Sequence, residues 1–517
     1  MTSTRPSTAT QRPETAAPQA ADRPSAGREI RVIDTTLRDA HQCLWATRMR
    51  TSHMLPVLDK FDRAGFESVD LMGTIQFDVC VRYLKEDPWE RVRRVHQGAP
   101  NTRFRSLIRS KNIVAFDFLP DDIIDLWVDR LYANGFRVIG SFDGLNDVDN
   151  IVGGLRRAKA HGAYTFGALA YSESPVHNDE LFVRTAKELI DRADVDAIML
   201  KDAGGLLTVD RIRTLVPALR QVIGNRPLEL HSHCLTGLAP LVYLEGARLG
   251  CDQLHLSIKP LANGAAQPAV QTVARNLREQ GYRVNIDDAL IDEIGAHFAQ
   301  IAEREGKPIG VPIEYDAFHY EHQLPGGMLS NFRAQLAVAG LSDKFDELLR
   351  ECARVRRELA YPIMITPFSQ FVGTQAVLNV VHGERYRIVP NEVKKYALGY
   401  YGKLLGPVDP EALDRIVANG AKSISLKPEP LAPAVPALRK QYPHASDDER
   451  LLRYMLAGTQ VDEMLAAGPM DTSYSAQSPI VELVQRLVQR RKPGRVYIRK
   501  GDFELSVNSL AEAEVRP

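Results

Sequence analysis

The sequence is poor in cysteine, with five in 517 residues and no CxxC pair among them. That excludes a disulfide scaffold and a zinc knuckle, and it suits a reducing compartment, so a cytoplasmic location is expected. No apolar run approaches the roughly 18 residues that a membrane span needs. Net charge is missing too: Lys plus Arg and Asp plus Glu stand at 65 each, leaving no field to gather nucleic acid or anionic lipid. Nor does a glycine-rich phosphate loop follow the first strand-like run, where Asp34-Thr35-Thr36-Leu37-Arg38-Asp39 stands instead. This argues against a dinucleotide-binding open sheet. What remains is chemistry on a small molecule.

Residues 1–28 are rich in Thr, Ser, Pro, Ala and Arg without a hydrophobic stretch, so a disordered tail is expected there rather than a signal peptide. From there, β-branched runs alternate with stretches of helical period. Strands are expected at Ile30–Asp34, Ser68–Met72, Phe104–Ile108, Phe136–Ile139, Thr165–Leu169, Ala197–Leu200, Leu228–His231 and Gln253–Leu256. Helices such as His53–Ala64, Pro120–Ala133, Glu180–Arg192, Val209–Val222 and Leu238–Leu249 are expected between them. Eight strands each followed by a helix, over about 250 residues, predict an α/β fold: a (β/α)8 TIM barrel spanning 29–304. Strand signals then fade, and a mostly α-helical C-terminal domain is expected over 305–470. Residues 471–517 read as a helix at Pro479–Arg491 and a hairpin of Arg495–Ile498 with Phe503–Val507, and Pro428–Pro436 reads as a connector.

In such a barrel, chemistry sits where strands end. His231 and His233 are one residue apart at the end of the seventh strand, so their side chains share a face. With Asp39 after the first strand they make an O,N,N donor set suited to Zn, Mn or Co. Alone, an HxH pair is as readily a hydrogen-bonded couple. Lys201, ending the sixth strand, would be repelled by a metal as an ammonium but would serve it as an oxygen donor if N-carboxylated. The alternative for Lys201-Asp202-Ala203-Gly204-Gly205 is a salt bridge and a tight turn. Arg38 and Arg109 have the planar fork that a 2-oxo acid carboxylate needs, or they are ion pairs at the barrel rim. Gln42 would donate to the 2-oxo oxygen, or cap its loop.

These residues fall in a recognisable pattern. Asp34–Arg50 (DTTLRDAHQCLWATRMR), Leu107–Asn112 (LIRSKN), Tyr171–His177 (YSESPVH), Leu200–Leu207 (LKDAGGLL), His231–Gly237 (HSHCLTG) and Gln267-Pro268 occur in one order. His322–Asn331 (HQLPGGMLSN) and Thr366–Arg387 (TPFSQFVGTQAVLNVVHGERYR) continue it. The chain resembles the carboxyltransferase family of biotin-dependent enzymes: the carboxyltransferase domain of pyruvate carboxylase, the 5S subunit of transcarboxylase and the α subunit of oxaloacetate decarboxylase. The resemblance implies metal ligation by Asp39, N-carboxylated Lys201, His231 and His233, with Lys201 also in the catalytic set. It implies substrate contacts from Arg38, Gln42 and Arg109, a retained Asp78, and a homodimer.

Departures from the family pattern shape the functional expectation. Ala265 stands where the family has a threonine that shuttles a proton between pyruvate and biotin, and Phe116 stands where it has a tyrosine. Both changes remove a hydroxyl, and neither replacement can relay a proton. Gly140 replaces an arginine at the end of the fourth strand, and Cys234 replaces an aspartate. No AMKM-type biotinyl-lysine segment is present, so any biotin is expected on a separate carrier protein or carboxylase subunit. The expected enzyme makes or breaks the C3–carboxylate bond of a pyruvate- or oxaloacetate-like acid through an enolate, without biotin because the relay is gone. The alternatives are a 5S-type subunit serving a biotin carrier, with Asp78 or water replacing the hydroxyls, and a non-catalytic metal-binding homologue.

Overall fold

Eight parallel strands close into a barrel in sequence order. They are β1 (Arg31–Asp34), β2 (Ser68–Gly73), β3 (Phe104–Arg109), β4 (Val138–Phe142), β5 (Tyr164–Ala170), β6 (Ala197–Asp202), β7 (Leu228–Ser232) and β8 (Gln253–Leu256). Closure comes from β1 on β8, with Arg31 opposite Gln253 and Asp34 opposite Leu256. Every residue of β2, β3 and β6 is buried, as expected for strands covered on one face by helices and on the other by the barrel's own interior. The computed structural model describes residues 27–338, 340–418, 431–474, 494–500 and 503–509, with 480, 483, 484 and 487. Nearly all of the expected tail lies outside the described residues. So do the start of the 428–436 connector, most of the 479–491 helix and the turn at 501–502.

The surrounding helices form where the sequence carries a helical stripe and a cap. Asn178 accepts from the Leu181 amide ahead of Asp179–Ala193, and Thr208 accepts from the Arg211 amide ahead of Val209–Ile223. Each such cap contributes about 1 kcal/mol. Leu189, Leu215 and Leu219 face the barrel and are fully buried. Two local expectations shift. The helix expected over His53–Ala64 is interrupted by a 3-10 turn at Leu55–Val57, where Pro56 has no amide hydrogen to donate. The fourth strand ends three residues later than expected, at Phe142 rather than Ile139, which places Gly140 inside it rather than at its end.

Beyond the barrel, Gly326–Val338, Phe345–Glu358, Phe368–His382, Asn391–Ala397 and Pro410–Ala418 are helices. They share a core containing Leu348, Cys352, Val372 and Tyr396. The connection before Phe368 dips into the barrel mouth, where Ile363 and Ile365 pack with Leu107, Phe142 and Phe166. Helices Val435–Gln441, Asp447–Met455 and Gly458–Ala466 behave differently from the rest of the expected 305–470 domain. Their Leu438, Leu451, Leu452 and Val461 join the barrel's core, and the Asp448 carboxylate takes Arg93 and Arg130 of the barrel's outer helices. Strands β9 (Gly494–Lys500) and β10 (Phe503–Ser509) pair antiparallel as the expected hairpin. Among the described residues no helix is long and apolar enough to cross a membrane.

Candidate metal centre and substrate cavity

The end of β1 is pinned by its own side chains. The Asp34 carboxylate accepts from the Thr36 amide at 2.9 Å and the Thr36 hydroxyl at 2.6 Å. The following turn, Thr36–Ala40, has π-helical spacing and delivers Arg38 and Asp39 to the C-terminal mouth of the barrel. Lys201 and His231 are register partners on β6 and β7, and His233 follows on the same face.

The three expected ligand atoms form a triangle. Asp39 Oδ2 is 3.1 Å from His231 Nε2 and 3.1 Å from His233 Nε2, and the two Nε2 atoms are 3.1 Å apart. Donors about 2.1 Å from a common ion stand about 3.0 Å apart in octahedral and about 3.4 Å in tetrahedral coordination, so the triangle has the size a divalent ion requires. The Lys201 Nζ lies 3.2 Å from His231 Nε2. Gln267, quoted in the sequence only as part of a motif, aims its Nε2 at all three ligands, at 2.7 Å from Asp39 Oδ2, 3.0 Å from His233 Nε2 and 3.3 Å from His231 Nε2. Its Oε1 accepts from the Thr35 and Ser257 hydroxyls, which fixes the amide's orientation. The Gln267 amide thus points its donors at the same three atoms that a cation would take. The chemistry of the donor set therefore fits a cation.

Electrostatics show what a cation would displace: His233 and Lys201 carry positive charge against the Asp39 carboxylate, and metal binding releases the His233 proton. Burial raises the Asp39 carboxyl, but the Arg38 guanidinium, His233 and Lys201 overcome it and hold Asp39 well below the usual range. Burial lowers His233, yet Asp39 brings it up to about 10, while burial and the Lys201 cation keep His231 well below 6.5. Burial also draws Lys201 down to about 8, against the pull of Asp39. The His233 Nδ1 donates to the Ala265 carbonyl at 2.7 Å.

A cavity of about 190 Å3 opens beside the triangle, lined by Gln42, Arg109, Lys201, Ala265 and Thr366 among others. The two arginines differ there. Arg38 is spent on carboxylates, giving Nε to Asp70 at 2.7 Å and Nη1 to Asp39 at 2.6 Å. Arg109 is turned by the Val114 and Ala115 carbonyls, at 3.0 and 2.6 Å from its Nη2, and its buried Nε has no partner among the described residues. Burial lowers Arg109 to about 10, with Asp78 the opposing charge. The Gln42 Oε1 accepts from Gln76 Nε2 at 3.1 Å, so its own NH2 is the end left for the cavity. Asp78 pairs with Arg82 at 2.6 Å and stands behind Arg109, outside the cavity lining. Phe116 also lies outside the lining, 48 % exposed beside Phe371, whereas Ala265 is in it. Cys43, at 3.8 Å from His233 Nδ1, lines the cavity as well and had no sequence signal of its own.

The comparisons with known proteins identify the family. Residues 320–481 match a family model described as the conserved carboxylase domain. The chain is 43 % identical over 406 residues to the pyruvate carboxylase subunit, designated B, of Methanocaldococcus jannaschii, covering 78 % of this chain and 71 % of that protein. It is 34 % identical over 438 residues to the methylmalonyl-CoA carboxyltransferase 5S subunit of Propionibacterium freudenreichii subsp. shermanii, covering 83 % and 86 %. The carboxyl transferase domain of Rhizobium etli pyruvate carboxylase, solved with oxamate and biotin, superposes with a TM-score of 0.77 at 25 % identity, over 85 % of this chain and 78 % of that one. The chain therefore belongs to the carboxyltransferase family that includes the archaeal pyruvate carboxylase subunit and the transcarboxylase 5S subunit.

Proposed function

We propose that this carboxyltransferase moves a carboxyl group between C3 of a small 2-oxo acid, of the pyruvate and oxaloacetate class, and a biotin borne on a separate carrier protein. The observation that carries the reading is Arg109, a buried cation whose Nε has no partner among the described residues, at a cavity that meets the ligand triangle. A buried guanidinium without a carboxylate partner is costly, and an anionic substrate offsets that cost. Gln42 donates to the 2-oxo oxygen. Asp39, His231 and His233 would hold a divalent ion, which supplies Lewis-acid polarisation of the 2-oxo group. Lys201 completes the ligand set once N-carboxylated, because an oxygen donor then replaces a cation. In the transfer the C3–H proton leaves as the C3–carboxylate bond forms, and the biotin ring nitrogen that gives up the carboxyl group takes a proton. With Ala265 in the cavity, the hydroxyls of Thr74 and Thr366, which line the same space, are the side chains placed to relay it.

Ala265 also favours a second reading, in which oxaloacetate loses CO2 with water as the proton source and no biotin takes part. Oxaloacetate turnover by the metal-reconstituted protein, followed as CO2 release with and without its biotinylated carrier and with avidin, separates the two. Carrier-dependent turnover abolished by avidin supports transfer to biotin. Equal rates in all arms overturn it in favour of the biotin-free reaction.

A further inference from the structure

Behind the ligand triangle, the barrel interior holds a chain of polar side chains where TIM barrels place Val, Ile and Leu. The Nδ1 of His231, on the side away from Asp39, is 3.3 Å from the Nδ1 of His255 on β8. His255 Nε2 is 2.9 Å from Glu229 Oε2, and Arg105 Nη2 on β3 donates to that same oxygen at 2.7 Å. All four side chains are buried, with exposures of 0 to 2 %. Strand geometry explains the assembly. Glu229 and His231 are two apart on β7 and so share the inward face, and β8 and β3 bring His255 and Arg105 to them.

We propose that Arg105, Glu229 and His255 are positioning residues that fix the tautomer and ring orientation of His231 for metal binding; the inference rests on the metal reading above. With His255 neutral, one proton arrangement satisfies every contact. Paired with Arg105, the Glu229 carboxylate only accepts, so His255 carries its hydrogen on Nε2. That leaves a lone pair on His255 Nδ1, so the facing His231 Nδ1 must be the donor. The remaining lone pair of His231 is then on Nε2, the atom that meets Asp39 and His233. His233 reaches the same tautomer by a separate device, its Nδ1 bond to the Ala265 carbonyl.

Packing supports a functional reading of these charges. The Arg105 guanidinium lies 4.0 Å over the Phe166 ring, and that ring occupies the space a side chain at position 140 would need. A Cβ on Gly140 would overlap it. Glu229 Oε1 has no partner among the described residues, a cost that well-packed apolar residues would avoid. Partners of this kind around a metal-binding histidine raise metal affinity by about ten- to hundredfold.

The test is Co2+ affinity of the chelator-stripped protein, by competition with a chromophoric chelator, together with the visible spectrum of the Co2+ form and circular dichroism. Glu229→Gln and His255→Leu should each weaken Co2+ binding by about ten- to hundredfold and alter the spectrum while keeping the barrel's dichroism. His255→Gln, which offers an acceptor and a donor, should recover part of the loss seen with His255→Leu. Folded Glu229→Gln and His255→Leu proteins with wild-type affinity and spectrum would overturn the inference. Wild-type Co2+ binding by His231→Ala would instead overturn the metal site itself, which keeps the two failures distinct.

Discussion

The Nδ1 of His233 lies 2.7 Å from the carbonyl oxygen of Ala265. Residue 265 thus uses its backbone to orient a ligand while its side chain faces the cavity. The two roles are separable, because a substitution there changes the side chain and leaves the carbonyl in place.

Ala265→Thr should therefore restore a hydroxyl without loss of metal binding. The expected outcome is a rise of about tenfold or more in carrier-dependent carboxyl transfer, the scale of a positioned proton relay. Steady-state rates with carrier biotin, alongside Co2+ affinity, check it.

Arg38 and Arg109 should separate into two phenotypes. Arg109→Met removes about 2–3 kcal/mol of charge-assisted bonding to the substrate, or about a hundredfold in kcat/KM, with metal content unchanged. Arg38→Lys weakens the hold on Asp39 and Asp70, so metal affinity should fall about tenfold while KM for oxaloacetate stays near wild type. Parallel kinetics and metal analysis distinguish this from two equivalent substrate arginines.

Gly140 is sterically committed. Gly140→Ala should destabilise the protein by about 1–3 kcal/mol through overpacking against Phe166. The double variant with Phe166→Leu should recover part of that in denaturant unfolding.

His177 supplies a pH dependence away from the metal site. Burial, with Arg356 adding to it, lowers the imidazole to about 3, against about 6.5 when unfolded. A depressed folded pKa means the unfolded chain takes the proton first. The contribution is intact above about pH 6.5 and is lost as pH falls from there toward 3, at about 1.4 kcal/mol per pH unit. Between pH 7 and pH 5, His177→Phe should therefore lose roughly 2 kcal/mol less stability than wild type in urea titrations.

Much of this was legible in the residues themselves. Short apolar, β-branched runs marked all eight strands, because a parallel strand buried on both faces leaves a strong apolar signal. The one-residue spacing of His231 and His233 carried the shared face. What lay hidden depended on neighbours across the barrel. Arg38 and Arg109 look alike in sequence, and only the nearby Asp39 and Asp70 show that the first is already paired. His255 and Gln267 sit on or after β8, and no spacing links them to β7. Glu229 was the readable exception, two residues before His231 on the same face. Helices 435–466 carry an ordinary apolar stripe, which does not say whether the barrel or the helical region will cover it.

The central claim is a metal-binding cluster that acts on a 2-oxo acid. Oxaloacetate decarboxylation or transfer by protein stripped of metal, reconstituted with one equivalent and freed of excess tests it most directly, with His231→Ala as the partner sample. Turnover should vanish on stripping, return on reconstitution and be absent from His231→Ala. Equal turnover in stripped, reconstituted and His231→Ala proteins would contradict the claim.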